Sequence, residues 1–105
     1  MTITIHNKLV RDRIPEIIEA DGKHCSVETL SDEEYLPLLE RKLDEELAEY
    51  QDSKSLEELA DLLEVIQAVV KARGWTMAEL ERVRAEKAAE RGGFDEKILL
   101  KEVWK

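Results

Sequence analysis

The sequence has little cysteine, few aromatic residues and no long apolar run. Cys25 is its single cysteine, so no disulfide can form within the chain, as is typical of a reducing compartment. Aromatic residues make up only 5%, so aliphatic side chains must build the core. No stretch approaches the roughly 20 apolar residues of a membrane span, and the start lacks the pattern of a secretion signal. We therefore expect a cytoplasmic protein whose 105 residues form one domain.

Acidic residues outnumber basic ones by 25 to 16, which gives a formal net charge of −9. Such a field repels nucleic-acid phosphates and anionic lipid headgroups, so neither a nucleic-acid polymer nor a membrane is expected as a partner. It favours divalent cations, which in turn attract phosphorylated small molecules. The charged fraction of 39% exceeds the roughly 25% of an average domain, which indicates long solvated helix faces.

Capping signals predict four helices. Ser31 and Glu34 form a capping box, which opens a first long helix that Pro37 should kink near its start. Gly22, Gly74 and the pair Gly92-Gly93 supply stop signals for the other helices. The predicted helices cover residues 14–21, about 31–51, 56–72 and about 76–91.

The predicted fold class is all-α, an antiparallel helical hairpin with flanking helices. A tight turn at residues 52–55 makes the two long helices neighbours. Alternating Thr and Ile favour a short edge strand at residues 2–6, and residues 23–30 are either a loop or a second short strand. Because the 56–72 helix is more apolar than one partner can cover, we expect a four-helix-type core completed by self-association as a homodimer or tetramer.

Two pairs of carboxylates with i,i+3 spacing lie on the long helices. At 100° per residue, Glu46 and Glu49 share one flank of the buried face, whereas Glu45 points into solvent. Glu58 and Asp61 lie within an apolar arc of the second helix instead of on its polar face. The buried face of the first helix consists of Leu36, Leu39, Leu43, Leu47 and Tyr50.

Four carboxylates half-buried against apolar surface repel one another unless cations neutralise them. Mg²⁺ prefers oxygen ligands and completes its shell with water and substrate phosphate. In a chain with 25 acidic residues, any single one is more simply explained as a solvated helix charge. Two such pairs on adjacent antiparallel helices make a Mg²⁺ site the better interpretation.

Three sequence blocks, in this order along the chain, resemble those of one enzyme family. They are residues 7–15 (Asn-Lys-Leu-Val-Arg-Asp-Arg-Ile-Pro), Glu45-Glu46-x-x-Glu49 with Glu58-x-x-Asp61, and Lys87-x-x-Glu90-Arg91-Gly92-Gly93-Phe94. Together they resemble the MazG-like members of the all-α nucleoside triphosphate pyrophosphohydrolases, a superfamily that includes phosphoribosyl-ATP pyrophosphohydrolase and dimeric dUTPase. Only eight residues separate Glu49 from Glu58, fewer than in many members.

The resemblance implies an enzyme that splits a nucleoside triphosphate, ordinary or modified, into the monophosphate and pyrophosphate. Water would attack the α-phosphorus, with Mg²⁺, or Mn²⁺ in its place, as the cofactor. By resemblance, the metal ligands would be Glu46, Glu49, Glu58 and Asp61. Either Glu45 or Glu46 would accept the proton of the water, and the sequence does not choose between them.

Basic residues form two groups that are candidates to bind the triphosphate. One is an edge of the last helix with i, i+3, i+7 spacing, Arg84, Lys87 and Arg91, next to glycines whose backbone can approach a phosphate. Spacing alone fits a solvated face equally well, and the resemblance favours phosphate binding. The second group either reaches phosphate or forms salt bridges to the acidic helices: Lys8, Arg11 and Arg13.

The aromatic residues and the two histidines are predicted to have structural roles and not functional ones. For the aromatic side chains, packing or an oligomer contact is favoured over stacking on a base. His6 and His24 lack the spacing of metal ligands and are predicted to lie on the surface. The aromatic residues concerned are Trp75, Phe94 and Trp104.

Three alternatives compete with this interpretation. Residues 41–48 partly resemble a Nudix core, but Lys42 stands where that motif needs Glu and Ala48 where it needs Gly. A phosphoribosyl-ATP pyrophosphohydrolase of the same fold would differ only in substrate. A non-enzymatic helical dimerisation module would use the leucine face as its seam, but it leaves the position of Glu58 and Asp61 unexplained.

Overall fold

The computed structural model describes residues 2–105 and is all-helical over that range. Its helices are α1 (Ile14–Ala20), α2 (Asp32–Ser53), α3 (Leu56–Ala72) and α4 (Met77–Arg91). The all-α prediction is confirmed, and the predicted bounds of α3 agree with the observed ones. No helix of the described residues combines the length and the apolar character needed to cross a membrane.

The α2–α3 hairpin is the packed centre of the chain, and local signals set its bounds. The Ser31 hydroxyl accepts a hydrogen bond from the Glu34 backbone N–H at 3.3 Å, and the Glu34 carboxylate accepts from the Ser31 N–H at 3.4 Å. This is the predicted capping box. At the other end Lys54 adopts a left-handed conformation (φ 58°), and Ser55 then caps α3. The two helices are therefore joined by only two residues.

The core of the single chain is thin. Only Leu39, Val65 and Val70 are buried hydrophobic residues. On α3, Leu56, Leu59 and Leu63 remain 80%, 42% and 49% exposed. The predicted buried face of α2 is incomplete, since Leu47 at its C-terminal half is 45% exposed. The apolar surface of the hairpin thus exceeds what the chain itself covers.

The edge strand favoured at residues 2–6 is a wrong prediction, whereas for residues 23–30 the loop is the alternative that holds. Neither residues 2–6 nor residues 23–30 form a strand, because a strand needs a hydrogen-bonded neighbour and the described chain provides none. Ile3 and Ile5 are instead exposed. The segment after Gly93 contains no helix or strand, and its apolar residues 98–100 are exposed as well.

The terminal regions are loosely attached to the hairpin. No Cα atom of α1 lies within 8 Å of a Cα atom of another helix, and α4 meets only the end of α3. The described chain is accordingly elongated, with extents of 66 × 31 × 24 Å. Contacts made by individual side chains therefore decide where residues 2–30 lie on the hairpin.

Candidate metal centre

The hairpin brings carboxylates of α2 and α3 together beside its buried face. One oxygen each from Glu46, Glu58 and Asp61 lie within 4.8 Å of one another. A second group of the same size is formed by Glu45, Glu46 and Glu49. Glu46 belongs to both groups and links them. We call these five residues the carboxylate cluster, and it includes all four residues for which the sequence predicted metal binding.

Glu46 is the most deeply placed member of the carboxylate cluster. Only 7% of the residue is exposed, and its Oε2 atom has no hydrogen-bond partner among the described residues. Its Oε1 atom lies 3.4 Å from the Lys42 ammonium. Burial, and then the neighbouring carboxylate of Glu49, raise the pKa of Glu46 above its ordinary value. A buried, unpartnered carboxylate oxygen is costly, so this position favours a proton or a cation.

Glu58 faces Glu46 across the hairpin and also has a carboxylate oxygen without a partner in the described chain. Its Oε2 atom is also buried without a partner among the described residues. Partial removal from water raises the pKa of Glu58, and the negative charges of Glu49 and Asp61 add to this effect. Two facing helices therefore each contribute an oxygen atom that lacks a partner.

The orientation predicted for Glu45 is wrong. Its side chain is only 30% exposed and accepts hydrogen bonds from both Lys8 and Lys42 at 3.1 Å. Burial pushes the pKa of Glu45 upward, but the hydrogen bonds from Lys8 and Lys42 outweigh it, so the pKa lies below its ordinary value. Helix periodicity missed this because Lys8 reaches Glu45 from 37 residues away.

The N-terminal basic residues contact the acidic helices. Arg11 donates to Asp61 with a distance of 2.7 Å between Nη2 and Oδ1, and Lys8 pairs with Glu45. The contact with Glu45 raises the pKa of Lys8. Arg13 differs, since it pairs with Glu16 of its own short helix at 3.1 Å. Of the two alternatives left open by the sequence, salt bridges to the helices hold for Lys8 and Arg11.

Lys42 is a site residue that the sequence interpretation missed. It lies within 3.1 Å of Glu45 and 3.4 Å of Glu46, and its side chain is only 16% exposed. Its i,i+3 and i,i+4 spacing to these glutamates is the signal that identifies such a partner. Within the described chain it is the most buried positive charge in contact with the carboxylate cluster.

The basic edge of α4 does not meet the carboxylate cluster within this chain. Arg84 pairs with Glu81 at 2.6 Å on an exposed surface, which raises the pKa of Arg84 and lowers that of Glu81. Lys87 and Arg91 are exposed and form no ion pair with the cluster among residues 2–105. The reason is the placement of α4: Leu80 and Val83 line a groove with Val70, at the far end of α3 from Asp61.

The aromatic residues are exposed in the single chain. Phe94 and Trp104 are 97% and 82% exposed, and Trp75 is 56% exposed. Of the two roles predicted for Phe94 and Trp104, packing within the chain does not occur, because the segment after Gly93 does not fold back onto the helices, and an oligomer contact stays a prediction. His6 and His24 lie on the surface as predicted.

Comparison with known proteins gives one partial relative. An uncharacterized protein of Mycolicibacterium smegmatis is 60% identical over 42 residues, which are 40% of this chain and 43% of that protein. The match thus spans less than half of the length of either protein. No protein-family model and no solved structure matches the chain.

Proposed function

We propose that this chain is a Mg²⁺-dependent nucleoside triphosphate pyrophosphohydrolase of the MazG-like class, which releases a nucleoside monophosphate and pyrophosphate. One observation carries the proposal. Glu46 is 93% buried, its Oε2 atom has no partner among the described residues, and one of its oxygens lies within 4.8 Å of carboxylate oxygens of Glu58 and Asp61 on the facing helix. Surface charges have no reason to converge in this way, whereas a site for a hard cation requires it.

The residues present fit a divalent cation. Glu46, Glu58 and Asp61 offer three oxygens within 4.8 Å of one another, and Glu49 adds a fourth carboxylate through the second group. The unpartnered oxygens of Glu46 and Glu58 are the first candidates for ligands. Such an ion, Mg²⁺ or Mn²⁺, supplies positive charge for phosphate oxygens and lowers the pKa of a bound water.

The surroundings of Glu45 and Glu46 distinguish their roles as proton acceptors. Two lysine ammonium groups hold Glu45 ionised and lower its pKa, which makes it a weak base. The raised pKa of Glu46 makes it the stronger base when no cation is bound. Under this proposal Glu46 would bind the metal, and the proton of the attacking water would pass to Glu45, a weak base that suffices because a bound metal lowers the pKa of the water.

Substrate phosphate requires positive side chains beyond the metal. Lys8, Arg11 and Lys42 already lie at the carboxylate cluster. The α4 residues Arg84, Lys87 and Arg91 complete the proposed phosphate contacts only if α4 of a second subunit approaches the cluster.

Self-association is part of the proposal, as a homodimer or a tetramer. The exposed leucines of α3, Leu56, Leu59 and Leu63, are the surface that supports it. Light scattering at micromolar concentration is expected to give at least the dimer mass, and Leu63→Glu is expected to shift it toward the monomer. A stable wild-type monomer would contradict this.

The function is tested with a panel of ordinary and modified nucleoside triphosphates plus phosphoribosyl-ATP. We expect equal amounts of monophosphate and pyrophosphate, formed with Mg²⁺ or Mn²⁺ and not with a chelator present. In ¹⁸O-labelled water the label should enter the monophosphate, because attack is at the α-phosphorus. Release of orthophosphate, or turnover that ignores the metal, would reject the proposal. Exclusive turnover of phosphoribosyl-ATP would select the alternative substrate.

The second candidate is a non-enzymatic helical dimerisation module. The exposed α3 leucines favour it as much as they favour an oligomeric enzyme. It predicts that charge-removing substitutions in the carboxylate cluster leave the oligomer unchanged and abolish no activity, because there is none to abolish.

A further inference from the structure

The N-terminal region is tied to the helical hairpin through the carboxylate cluster itself. Two side-chain ion pairs join residues 2–30 to helices α2–α4 of the described chain, Lys8 with Glu45 and Arg11 with Asp61. Both of their acidic partners belong to the carboxylate cluster. Since α1 does not pack on another helix, these two pairs are the principal polar attachment of residues 8–13.

Both attachments lie where a competing cation can replace them. The side chains of Lys8 and Arg11 are 43% and 56% exposed, and exposed ion pairs contribute little to stability. The side chain of Lys42, in contrast, is only 16% exposed, contacts Glu45 and Glu46, and belongs to the hairpin itself. A divalent ion carries twice the charge of a guanidinium and binds carboxylate oxygens directly. Arg11 and Lys8 thus act as replaceable counter-ions, while Lys42 is a fixed one.

We propose that divalent-cation binding at Glu46, Glu58 and Asp61 competes with docking of residues 8–13. In the metal-free protein Arg11 neutralises Asp61. When the cation is bound, Asp61 no longer needs Arg11. The remaining pair of Lys8 with Glu45 is too exposed to hold the segment alone, so residues 8–13 are released. The same two side chains then become available to bind the anionic substrate. This inference rests on the proposed metal site.

Thermodynamic linkage makes the competition measurable from either side. If the cation weakens docking of residues 8–13 by some factor, docking weakens cation binding by the same factor. Removing the Arg11 charge should therefore strengthen cation binding. For an exposed ion pair the expected gain is about two- to fivefold.

The first measurement is Mn²⁺ affinity by titration calorimetry on the full chain at physiological salt. Arg11→Gln should bind Mn²⁺ about two- to fivefold more tightly than wild type. Arg13→Gln is the matched control, because it removes the same charge two residues away from a side chain that pairs with Glu16. It should bind like wild type. Equal affinities for the two variants would overturn the competition.

The second measurement is the mobility of residues 8–13, followed by backbone ¹⁵N relaxation with and without Mg²⁺, which is diamagnetic. Saturating Mg²⁺ should lower the heteronuclear NOE of these residues and leave that of α2 and α3 unchanged. If Mn²⁺ binds but the segment keeps its order, the release is wrong and the proposed metal site stands. If wild type binds no divalent cation, both proposals fail.

Discussion

The carboxylate cluster of the hairpin and the charged face of α4 differ in how their charges are satisfied. On α4, Arg84 and Glu81 form an ion pair of 2.6 Å with both side chains more than 60% exposed. In the cluster, Glu46 is 7% exposed and one of its oxygens has no partner among the described residues. The Arg84–Glu81 pair is short, but water screens it, so it contributes little to stability. The unpartnered buried oxygen of Glu46, in contrast, costs folding free energy. Unsatisfied burial, more than a short distance, therefore identifies the candidate site.

The largest expected effect is the loss of activity when a cluster charge is removed. Glu49→Gln and Asp61→Asn keep size and polarity but remove a proposed metal ligand. We expect kcat/KM to fall about 10²–10³-fold, the typical cost of one transition-state electrostatic contact. Stability without metal should be unchanged or slightly higher for Glu49→Gln, because a crowded negative charge is gone. It should be nearly unchanged for Asp61→Asn, because the exposed pair of Asp61 with Arg11 contributes little. Steady-state kinetics and thermal melts measure the two effects.

The controls for this combination of lost activity and retained stability are Glu57→Gln and Glu64→Gln, on the exposed face of α3. They remove the same charge on the same helix and should resemble wild type in both assays. Identical behaviour of all four variants would remove the distinction between cluster and surface.

The next largest effect is stabilisation by metal. A ligand at 100 times its Kd stabilises the folded state by about 2.7 kcal/mol, so Mg²⁺ or Mn²⁺ should raise Tm. Glu46→Gln should abolish most of this rise, because Glu46 belongs to both carboxylate groups. Glu81→Gln on α4 should keep it in full. A similar rise for Glu46→Gln and wild type would show that the cation binds elsewhere.

The pH dependence of stability gives a smaller difference. The pKa of Glu46 is raised in the folded chain, so its ionisation opposes folding once the pH passes that folded-state pKa. Without metal, Glu46→Gln should therefore stabilise the protein more at pH 7.5 than at pH 5. Glu81 has a lowered pKa, so Glu81→Gln should not stabilise the protein at either pH. Urea denaturation in the presence of a chelator gives the free energy of unfolding. The difference between each variant and wild type is measured at both pH values.

The smallest effect is expected from the basic edge of α4. Lys87→Ala or Arg91→Ala should lower kcat/KM by at most about fivefold, as expected for one solvent-exposed ion pair with phosphate, with helical content unchanged. Arg84→Ala should do less, because Arg84 is already paired with Glu81. Unchanged kinetics in all three variants would assign the edge to solvated surface.

The sequence predicted the features that local rules determine. The capping residue Ser31 and the tight turn at residues 52–55 were predicted, and they define the hairpin. Helical spacing on two facing helices is enough to predict that Glu46, Glu58 and Asp61 converge. The burial of Glu45 could not be predicted, since its cover comes from Lys8, and the direction of α4 depends on the few contacts around Val70.

The short connection between α2 and α3 also affects how the protein folds. All of the proposed metal ligands lie within residues 46–61, so the hairpin can assemble them through contacts that are local in sequence. Their N-terminal counter-ions join from 37 and 50 residues away, and such contacts form later because a longer loop must close. We therefore expect the chain to gather its negative charges before their exposed counter-ions arrive. We expect divalent cations to lower this repulsion at the folding transition state, and hence to accelerate folding as well as to slow unfolding.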